Sequence, residues 1–265
     1  RLVKYTFFIT YAFLVTTATI TFIEAIRNKD PKIRHILNLE TCISIVAAYF
    51  YGVFIKKINV PGKLNFKQIN VNRYVDWAIT TPIMLLVLLL AFCYNSGKSV
   101  IFWKFLIVLI LNYAMLTFGY LGETRKMNRV SANILGFVFF IGLYVYIYAT
   151  YLYGQSMFDN QMIFWAFFIF WLFYGVAYWF KEKQKNISYN ILDLFSKCFV
   201  GIFFWAYFTL IRTTYLDNIF IISVKDFPLS SLLLGIETVG GNTSIRLPKY
   251  EDLIEYETLS AISDE

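Results

Sequence analysis

Cysteine, proline, histidine and charged residues are all scarce in this chain. The 265 residues include three cysteines, five prolines and one histidine, and only 15% are charged. Cys42, Cys93 and Cys198 all fall in apolar stretches, so no disulfide framework is expected. The lone His35 follows a basic residue at the end of an apolar stretch. We expect it to contact solvent or lipid headgroups and predict no metal site.

Hydrophobic and aromatic residues, by contrast, are abundant. They account for 58% of the sequence and aromatic residues for 20%, which excludes an ordinary soluble domain. The formal charge of +7 resides in the loops between the apolar stretches. Such loop charge is typical of contact with lipid headgroups, so we predict a bilayer as partner and no nucleic acid.

Stretches long enough to cross a bilayer recur seven times, which predicts an all-α membrane protein built as a seven-transmembrane helix bundle. They cover approximately residues 5–26, 37–55, 74–93, 99–121, 131–153, 161–180 and 187–211. After residue 211 the apolar runs become short and are broken by Pro228 and Gly240-Gly241. We therefore predict a membrane domain over 1–211 and a C-terminal tail over 212–265 that lies outside the bilayer.

Lys197 stands near the middle of the last of these spans. An ammonium group at that depth costs about 3 kcal/mol, so it should be paired, deprotonated or covalently used. Asp193 lies four residues earlier, one helical turn away on the same face. Two interpretations follow: a buried ion pair that holds helices together, or a lysine that forms a Schiff base with a carbonyl cofactor and has Asp193 as part of its counterion.

The third span places polar residues at helical spacing. Arg73, Asp76 and Thr80 are separated by three and four residues and so share one face. Pro82 also falls inside this span. A hydroxyl such as that of Thr81 can satisfy the backbone carbonyl that the proline leaves without a donor.

Two further features have both a packing and a functional interpretation. Trp171, Tyr174 and Tyr178 share one face of the sixth span, an arrangement found both in helix packing and in ligand pockets. Glu40 stands about one turn inside the second span. It could be an interfacial carboxylate or a functional one.

Together these motifs resemble the microbial rhodopsins over residues 1–211. The resemblance is carried by Lys197 midway through the seventh span and by Arg73-Tyr74-Val75-Asp76-Trp77 with Thr80-Thr81-Pro82 in the third. It implies that Lys197 binds all-trans retinal in a pocket at the centre of the bundle. It also implies that Asp76 is the primary counterion and proton acceptor, Asp193 the second counterion and Arg73 the cation beneath them, with Thr80 beside Asp76. The implied pocket residues are Trp77, Thr81, Met84, Met115, Trp171, Tyr174 and Tyr178.

The sequence also departs from the proton pumps of this family. Val87 occupies the position where pumps usually carry a carboxylate donor, and Asn112 replaces an aspartate found in some relatives. We expect Asn112 to bond Thr81 across the third and fourth spans. Glu123 and Glu182 are the only candidates for a proton-release pair, and the sequence shows no clear pairing between them.

A narrower resemblance is to the giant-virus branch of the family. It rests on the run from Arg34 to Glu40 and on Trp205, eight residues past Lys197. That branch contains pentameric proton pumps and light-gated cation channels. It implies a homo-oligomer, with a pentamer favoured, in the plasma membrane or an internal membrane of a eukaryotic host cell.

Three functions remain open at this point, and none of them is enzymatic. The first is an outward light-driven proton pump with Asp76 as acceptor and Glu40 as cytoplasmic donor. The second is a light-gated cation channel whose pore is lined by polar groups, namely Asn38, Glu40, Ser44 and Ser196. The third is a sensory photoreceptor that signals to a partner through residues 213–265.

The family's orientation, with the N-terminus outside, makes the tail cytoplasmic. It also counts Lys181, Lys183 and Lys185 among the outside loop charges, against the positive-inside tendency.

Overall fold

The structure, a computed structural model, describes residues 2–60, 66–154, 157–211, 236–239 and 242–245. Within these residues, seven helical spans are long and apolar enough to cross a bilayer, which confirms the predicted fold class. Most of them extend a few residues beyond the predicted limits. The first six helices are α1 Leu2–Arg27, α2 Pro31–Asn59, α3 Phe66–Asn95, α4 Phe102–Glu123, α5 Arg129–Ile147 and α6 Phe158–Ala177.

The seventh span is not a uniform α-helix. It begins as α7, Glu182–Asp193, widens into a π-helical turn over Leu194–Phe199, and continues as α8, Val200–Ala206, before a second π-helical turn over Tyr207–Ile211. Another π-helical turn, Tyr148–Leu152, follows α5. Lys197 lies in the π-helical turn over Leu194–Phe199. Single π-helical turns of this kind recur at functional sites.

The connection between α1 and α2 is fixed by a carboxylate. Asp30 caps α2 by accepting a hydrogen bond of 2.8 Å from the Lys32 amide, and Pro31 occupies the first helical position. The Tyr94 hydroxyl on α3 also donates to Asp30, at 2.8 Å. Burial alone would raise the pKa of Asp30, but the hydrogen bonds outweigh it and hold this pKa below its ordinary value.

The interior divides into two main apolar clusters. The larger one contains Val87, Leu88, Phe167 and Phe204, and it joins α3, α5, α6 and the end of the seventh span. The smaller one packs α1 against α2 around Phe7, Tyr51 and Phe54. Large apolar side chains also cover the outside of the bundle, as a lipid-facing surface requires. On α1 these are Leu2, Tyr5, Phe8, Ile9, Tyr11, Phe13, Val15, Phe22, Ile23 and Ile26.

Beyond the helices, the structure describes one short hairpin. Strand β1, Ile236–Val239, pairs antiparallel with β2, Asn242–Ile245, so that Ile236 is opposite Ile245. The sequence analysis did not predict these strands. The other residues assigned to the tail, including Pro228, lie outside the described residues.

Candidate functional site

The ammonium group of Lys197 lies between two carboxylates in the interior of the bundle. Its Nζ donates to Asp76 Oδ2 at 2.9 Å and lies 3.5 Å from Asp193 Oδ1. Both carboxylates are fully buried, and the lysine side chain is 2% exposed. Thr80 Oγ1 donates to the Asp76 backbone carbonyl at 2.9 Å, with a longer contact of 3.4 Å to Asp76 Oδ1. The third and seventh spans thus place these four predicted site residues together.

Arg73 is the second cation of this cluster. It lies on the side that the family's topology makes extracellular. Its Nη1 lies 3.4 Å from Asp193 Oδ2, and its other nitrogens donate to Asn186 and Asn190. Two cations and two carboxylates leave the buried group neutral, which reduces the cost of burial. Aromatic rings surround the guanidinium at 5.0–5.6 Å and favour a cation there. They belong to Phe7, Tyr51, Phe54 and Tyr189.

The two carboxylates differ in how many donors they already have. Asp193 accepts from Tyr51 at 2.7 Å and from Tyr174 at 2.6 Å, in addition to its contacts with both cations. The Tyr174 hydroxyl in turn lies 2.9 Å from Ser196 Oγ. Asp76 has no comparable tyrosine donor among the described residues. Asp193 is therefore already engaged by several donors, whereas Asp76 keeps more acceptor capacity.

A cavity of about 120 Å³ opens beside Lys197. All seven predicted pocket residues line it: Trp77, Thr81, Met84, Met115, Trp171, Tyr174 and Tyr178. The expected hydrogen bond from Asn112 Nδ2 to Thr81 Oγ1 is present, at 2.8 Å. Lys197 contributes the only amine on the wall formed by the described residues. An apolar aromatic cavity with one amine fits an extended apolar aldehyde such as retinal.

Glycines allow aromatic rings to close this cavity. A Cβ built on Gly175 would meet the Phe137 ring, and one built on Gly122 would meet the Tyr178 hydroxyl. Because these rings also line the cavity, side chains at the two glycines would force them to move. Gly175 therefore contributes to the shape of the pocket.

A second, partly buried ionic cluster lies on the predicted extracellular side of Arg73, and it corrects one expectation. Lys185 is fully buried, so it is not an outside loop charge. Its Nζ lies 2.9 Å from Glu123 Oε1 and 2.9 Å from Glu182 Oε1. Asn70 donates to the same two carboxylates, at 2.6 and 2.7 Å. Glu123 and Glu182 therefore share one lysine and one amide, an arrangement that the sequence did not reveal.

An amide pair connects this cluster to the site around Lys197. Asn186 Nδ2 donates to Asn70 Oδ1 at 3.0 Å, while Arg73 Nε donates to Asn186 Oδ1 at 3.3 Å. The sequence analysis missed Asn186 and Asn190. The available signal was their spacing, since they precede Asp193 by seven and three residues and so continue the helical face of Asp193 and Lys197.

Glu40 does not join the cluster around Lys197. It is 2% exposed on α2, and its carboxyl lies against Gly201 of α8. The structure therefore places this carboxyl in the interior of the helix bundle, away from solvent. Among the described residues it makes no hydrogen bond.

A seven-helix membrane bundle with a buried lysine between two carboxylates, at the wall of an aromatic cavity, defines the class of retinal proteins. Residues 2–211 match the sequence profile of bacteriorhodopsin-like proteins, and the chain belongs to that family. It is an integral multi-pass membrane protein and a microbial rhodopsin, a family whose members bind retinal. Most members of this group are pumps, channels or sensors.

Three similar proteins illustrate this relationship. The solved viral rhodopsin OLPVRII is 52% identical, with a TM-score of 0.75 over 80% of this chain and 99% of its own. This similarity supports the resemblance to the viral branch. The green-light absorbing proteorhodopsin of Gamma-proteobacterium EBAC31A08 is 27% identical over 59% of this chain, which spans 65% of that relative's length. The proton-pumping rhodopsin AR2 of the marine alga Acetabularia acetabulum shares the fold, with 19% identity and a TM-score of 0.65 over 80% of this chain and 97% of its own.

Proposed function

We propose that this protein is an outward light-driven proton pump. Lys197 would hold all-trans retinal, Asp76 would accept the proton of the Lys197 nitrogen, and Glu40 would return a proton from the cytoplasmic side. Bound retinal supplies light absorption and an isomerisation that reorients the bond from Nζ to its proton. The remaining steps are proton transfers that involve side chains of this protein.

The observation that carries the proposal is the asymmetry of the two carboxylates. Asp193 is already bonded by two tyrosine hydroxyls and contacted by Arg73, so a proton added there would displace existing donors. Asp76 contacts Nζ directly, at 2.9 Å, and has fewer competing donors. A general base must lie within hydrogen-bond reach of the proton that it removes, and Asp76 meets that condition.

Reprotonation of the Lys197 nitrogen requires a donor elsewhere, because Val87 occupies the position where pumps usually carry a carboxylate. Val87 is fully buried in the larger apolar cluster and cannot carry a proton. Glu40 is a buried carboxyl with no hydrogen bond or cationic partner within the part of the chain that the structure describes, an environment that favours its neutral form. A protonated carboxyl in the predicted cytoplasmic half is the form that a proton donor needs.

A light-gated cation channel is the second candidate. It is favoured by the Ser44 hydroxyl, which is fully buried on α2 without a hydrogen bond and could line a transient pore. The Tyr174–Ser196 contact argues against it, because it already engages a second predicted pore residue. A sensory role would depend on residues 213–265, of which the structure describes only the hairpin.

We further propose the family's orientation, with the N-terminus outside and 212–265 as a cytoplasmic tail after a membrane domain of 1–211. Burial of Lys185 supports this orientation, because it removes one of the charges that opposed the positive-inside tendency. The aromatic outer face of α1 supports a homo-oligomer, for which we propose a pentamer in a plasma or internal membrane of a eukaryotic host cell. Mass measurement in nanodiscs tests this; a strictly monomeric particle would contradict it.

Photocurrent under voltage clamp tests the transport function. A pump gives current that stays outward across the voltage range, whereas current that reverses with the cation gradient identifies a channel. Lys197→Ala should remove the visible band after retinal is added, and Lys181→Ala, at an exposed lysine, should keep it. A retained, covalently linked band in Lys197→Ala would overturn the retinal assignment.

The donor role of Glu40 has its own test. Glu40→Gln should slow the decay of the photocycle state in which the Lys197 nitrogen has lost its proton, and the decay should become steeply pH-dependent. Azide, a small diffusible acid, should restore the rate. If Glu40→Gln leaves this decay unchanged, Glu40 is not the donor.

A further inference from the structure

A second pocket lies at the end of the bundle where α1 joins α2 and α3 joins α4. Its volume is about 170 Å³, and it shares no lining residue with the aromatic cavity. Lys32 and His35 from the first turns of α2, with Lys98 from the link after α3, form an exposed rim. Ile36 and Leu90 make an apolar floor beneath it. A cationic rim above an apolar floor suits an anion that also carries an apolar part.

The wall of this pocket that follows α3 is held by backbone hydrogen bonds. Gly97 has a φ of 65°, the left-handed conformation in which many helices end. The Lys98 amide donates to the Cys93 carbonyl at 2.8 Å, and the Gly97 amide donates to the Tyr94 carbonyl at 3.4 Å. This pair of bonds is the Schellman arrangement that closes a helix end. Lys98 and Ser99, which both line the pocket, therefore leave α3 in a fixed direction.

A carboxylate ties the two sides of the pocket together. Asp30 Oδ2 accepts from the hydroxyl of Tyr94, which lines the pocket, and Asp30 Oδ1 accepts from the Lys32 amide, both at 2.8 Å. Lys32 also acts on this carboxylate electrostatically. One carboxylate does not cancel two lysines, so the region of the rim keeps a net positive charge. The rim is therefore preformed and favours an anion.

The start of α4 indicates the depth of the pocket in the bilayer. Val100 lines the pocket, and Phe102 and Trp103 follow it with 65% and 70% of their surface exposed. Exposed aromatic residues at the end of a span are typical of the membrane–water interface. Lipid headgroups occupy this level. A lipid could place its phosphate at the basic rim and its glycerol and acyl chains against the apolar floor, whereas a soluble anion would use the rim alone.

We propose that this pocket binds the phosphate of an acidic phospholipid. Lys32, His35 and Lys98 contact the phosphate oxygens, and the apolar floor contacts the region where the acyl chains begin. Basic pockets between membrane helices bind acidic headgroups on the cytoplasmic side, which is where the proposed orientation puts this end of the bundle. The site is separate from the cluster around Lys197. The proposal therefore does not depend on whether the protein is a pump, a channel or a sensor.

Native mass spectrometry of the full chain with added phosphatidic acid measures this binding. Lys32→Gln combined with Lys98→Gln should weaken it about 25-fold, because each lysine near an acidic headgroup contributes about fivefold. Lys29→Gln combined with Lys104→Gln is the matched control: both lysines are exposed in the same region, and neither lines the pocket. The control should stay within about twofold, because screening weakens attraction over distances beyond about 10 Å. Equal losses in the two double variants would overturn the site.

Inorganic phosphate separates the two sources of a phosphate group. In excess, it should displace phosphatidic acid only weakly, because it has no acyl chain to contact the floor. If inorganic phosphate binds as tightly as phosphatidic acid, the occupant is a soluble anion and the lipid assignment is wrong. Helical circular dichroism checks that each variant folds. Should the double variant not fold, Lys32→Gln and Lys98→Gln alone remain informative, each with an expected loss of about fivefold; wild-type binding in both would overturn the proposal.

Discussion

The cluster of Lys185, Glu123 and Glu182 allows a quantitative prediction about stability. Lys185 contacts both carboxylates at 2.9 Å, but the two differ in exposure. The Glu123 side chain is 7% exposed and that of Glu182 is 49% exposed. Water screens an exposed pair much more than a buried one. Equal distances should therefore give unequal coupling energies.

Lys185→Met leaves the Glu123 carboxylate buried with only the Asn70 amide as a donor. Breaking a buried pair in this way costs about 3–5 kcal/mol, and the remaining Asn70 bond places our expectation near 3 kcal/mol. Adding Glu123→Gln removes the unpaired charge and should recover about 2 kcal/mol as coupling energy. Adding Glu182→Gln should recover less than about 1 kcal/mol. Lys183→Met, at an exposed lysine, should have an effect within about 0.5 kcal/mol.

The measurement is reversible unfolding in mixed micelles, followed by the visible band and by helical circular dichroism. The double-mutant cycles for Lys185–Glu123 and for Lys185–Glu182 are compared at the same protein and salt concentrations. If the Glu182 cycle gives a coupling energy equal to or larger than the Glu123 cycle, the argument from burial is refuted. A Lys185→Met variant as stable as Lys183→Met would show that the cluster contributes nothing to stability.

Three further predictions concern colour, pocket shape and pH. Asp76→Asn should shift the visible band to the red at neutral pH and abolish outward photocurrent, because it withdraws the negative charge beside Nζ; wild-type colour and current would contradict this. Gly175→Ala should shift the band by displacing the Phe137 ring, whereas Gly142→Ala, where a Cβ meets nothing closer than 4.0 Å, should not. Asp30 stabilises the fold above its unfolded-state pKa of about 4, and this contribution is lost as pH falls through its lower folded-state pKa. Asp30→Asn should therefore flatten the acid limb of a stability–pH curve, and an unchanged limb would refute the hydrogen-bond assignment.

Residues on one helix were predictable because helical spacing is fixed by backbone geometry. Asp193 and Lys197 are four residues apart, and Arg73, Asp76 and Thr80 are separated by three and four. Each set therefore shares a face whatever the bundle does. The seven spans followed from bilayer thickness and apolar length. The high cost of an ammonium at mid-membrane also made Lys197 a functional candidate before any contact was known.

Contacts between helices were decided by the tertiary structure alone. One example is the cluster in which Asn70 and Lys185 both bond Glu123 and Glu182. These bonds depend on how three helices are rotated about their axes, which no spacing within one helix specifies. The bond from Tyr51 to Asp193 joins residues 142 positions apart. The approach of Glu40 to Gly201 further depends on the π-helical turn at 194–199, because a wider turn changes which residues of the following helix face inward. The sequence by itself therefore determined which chemical groups lie in the membrane, and helix packing decided which of them meet.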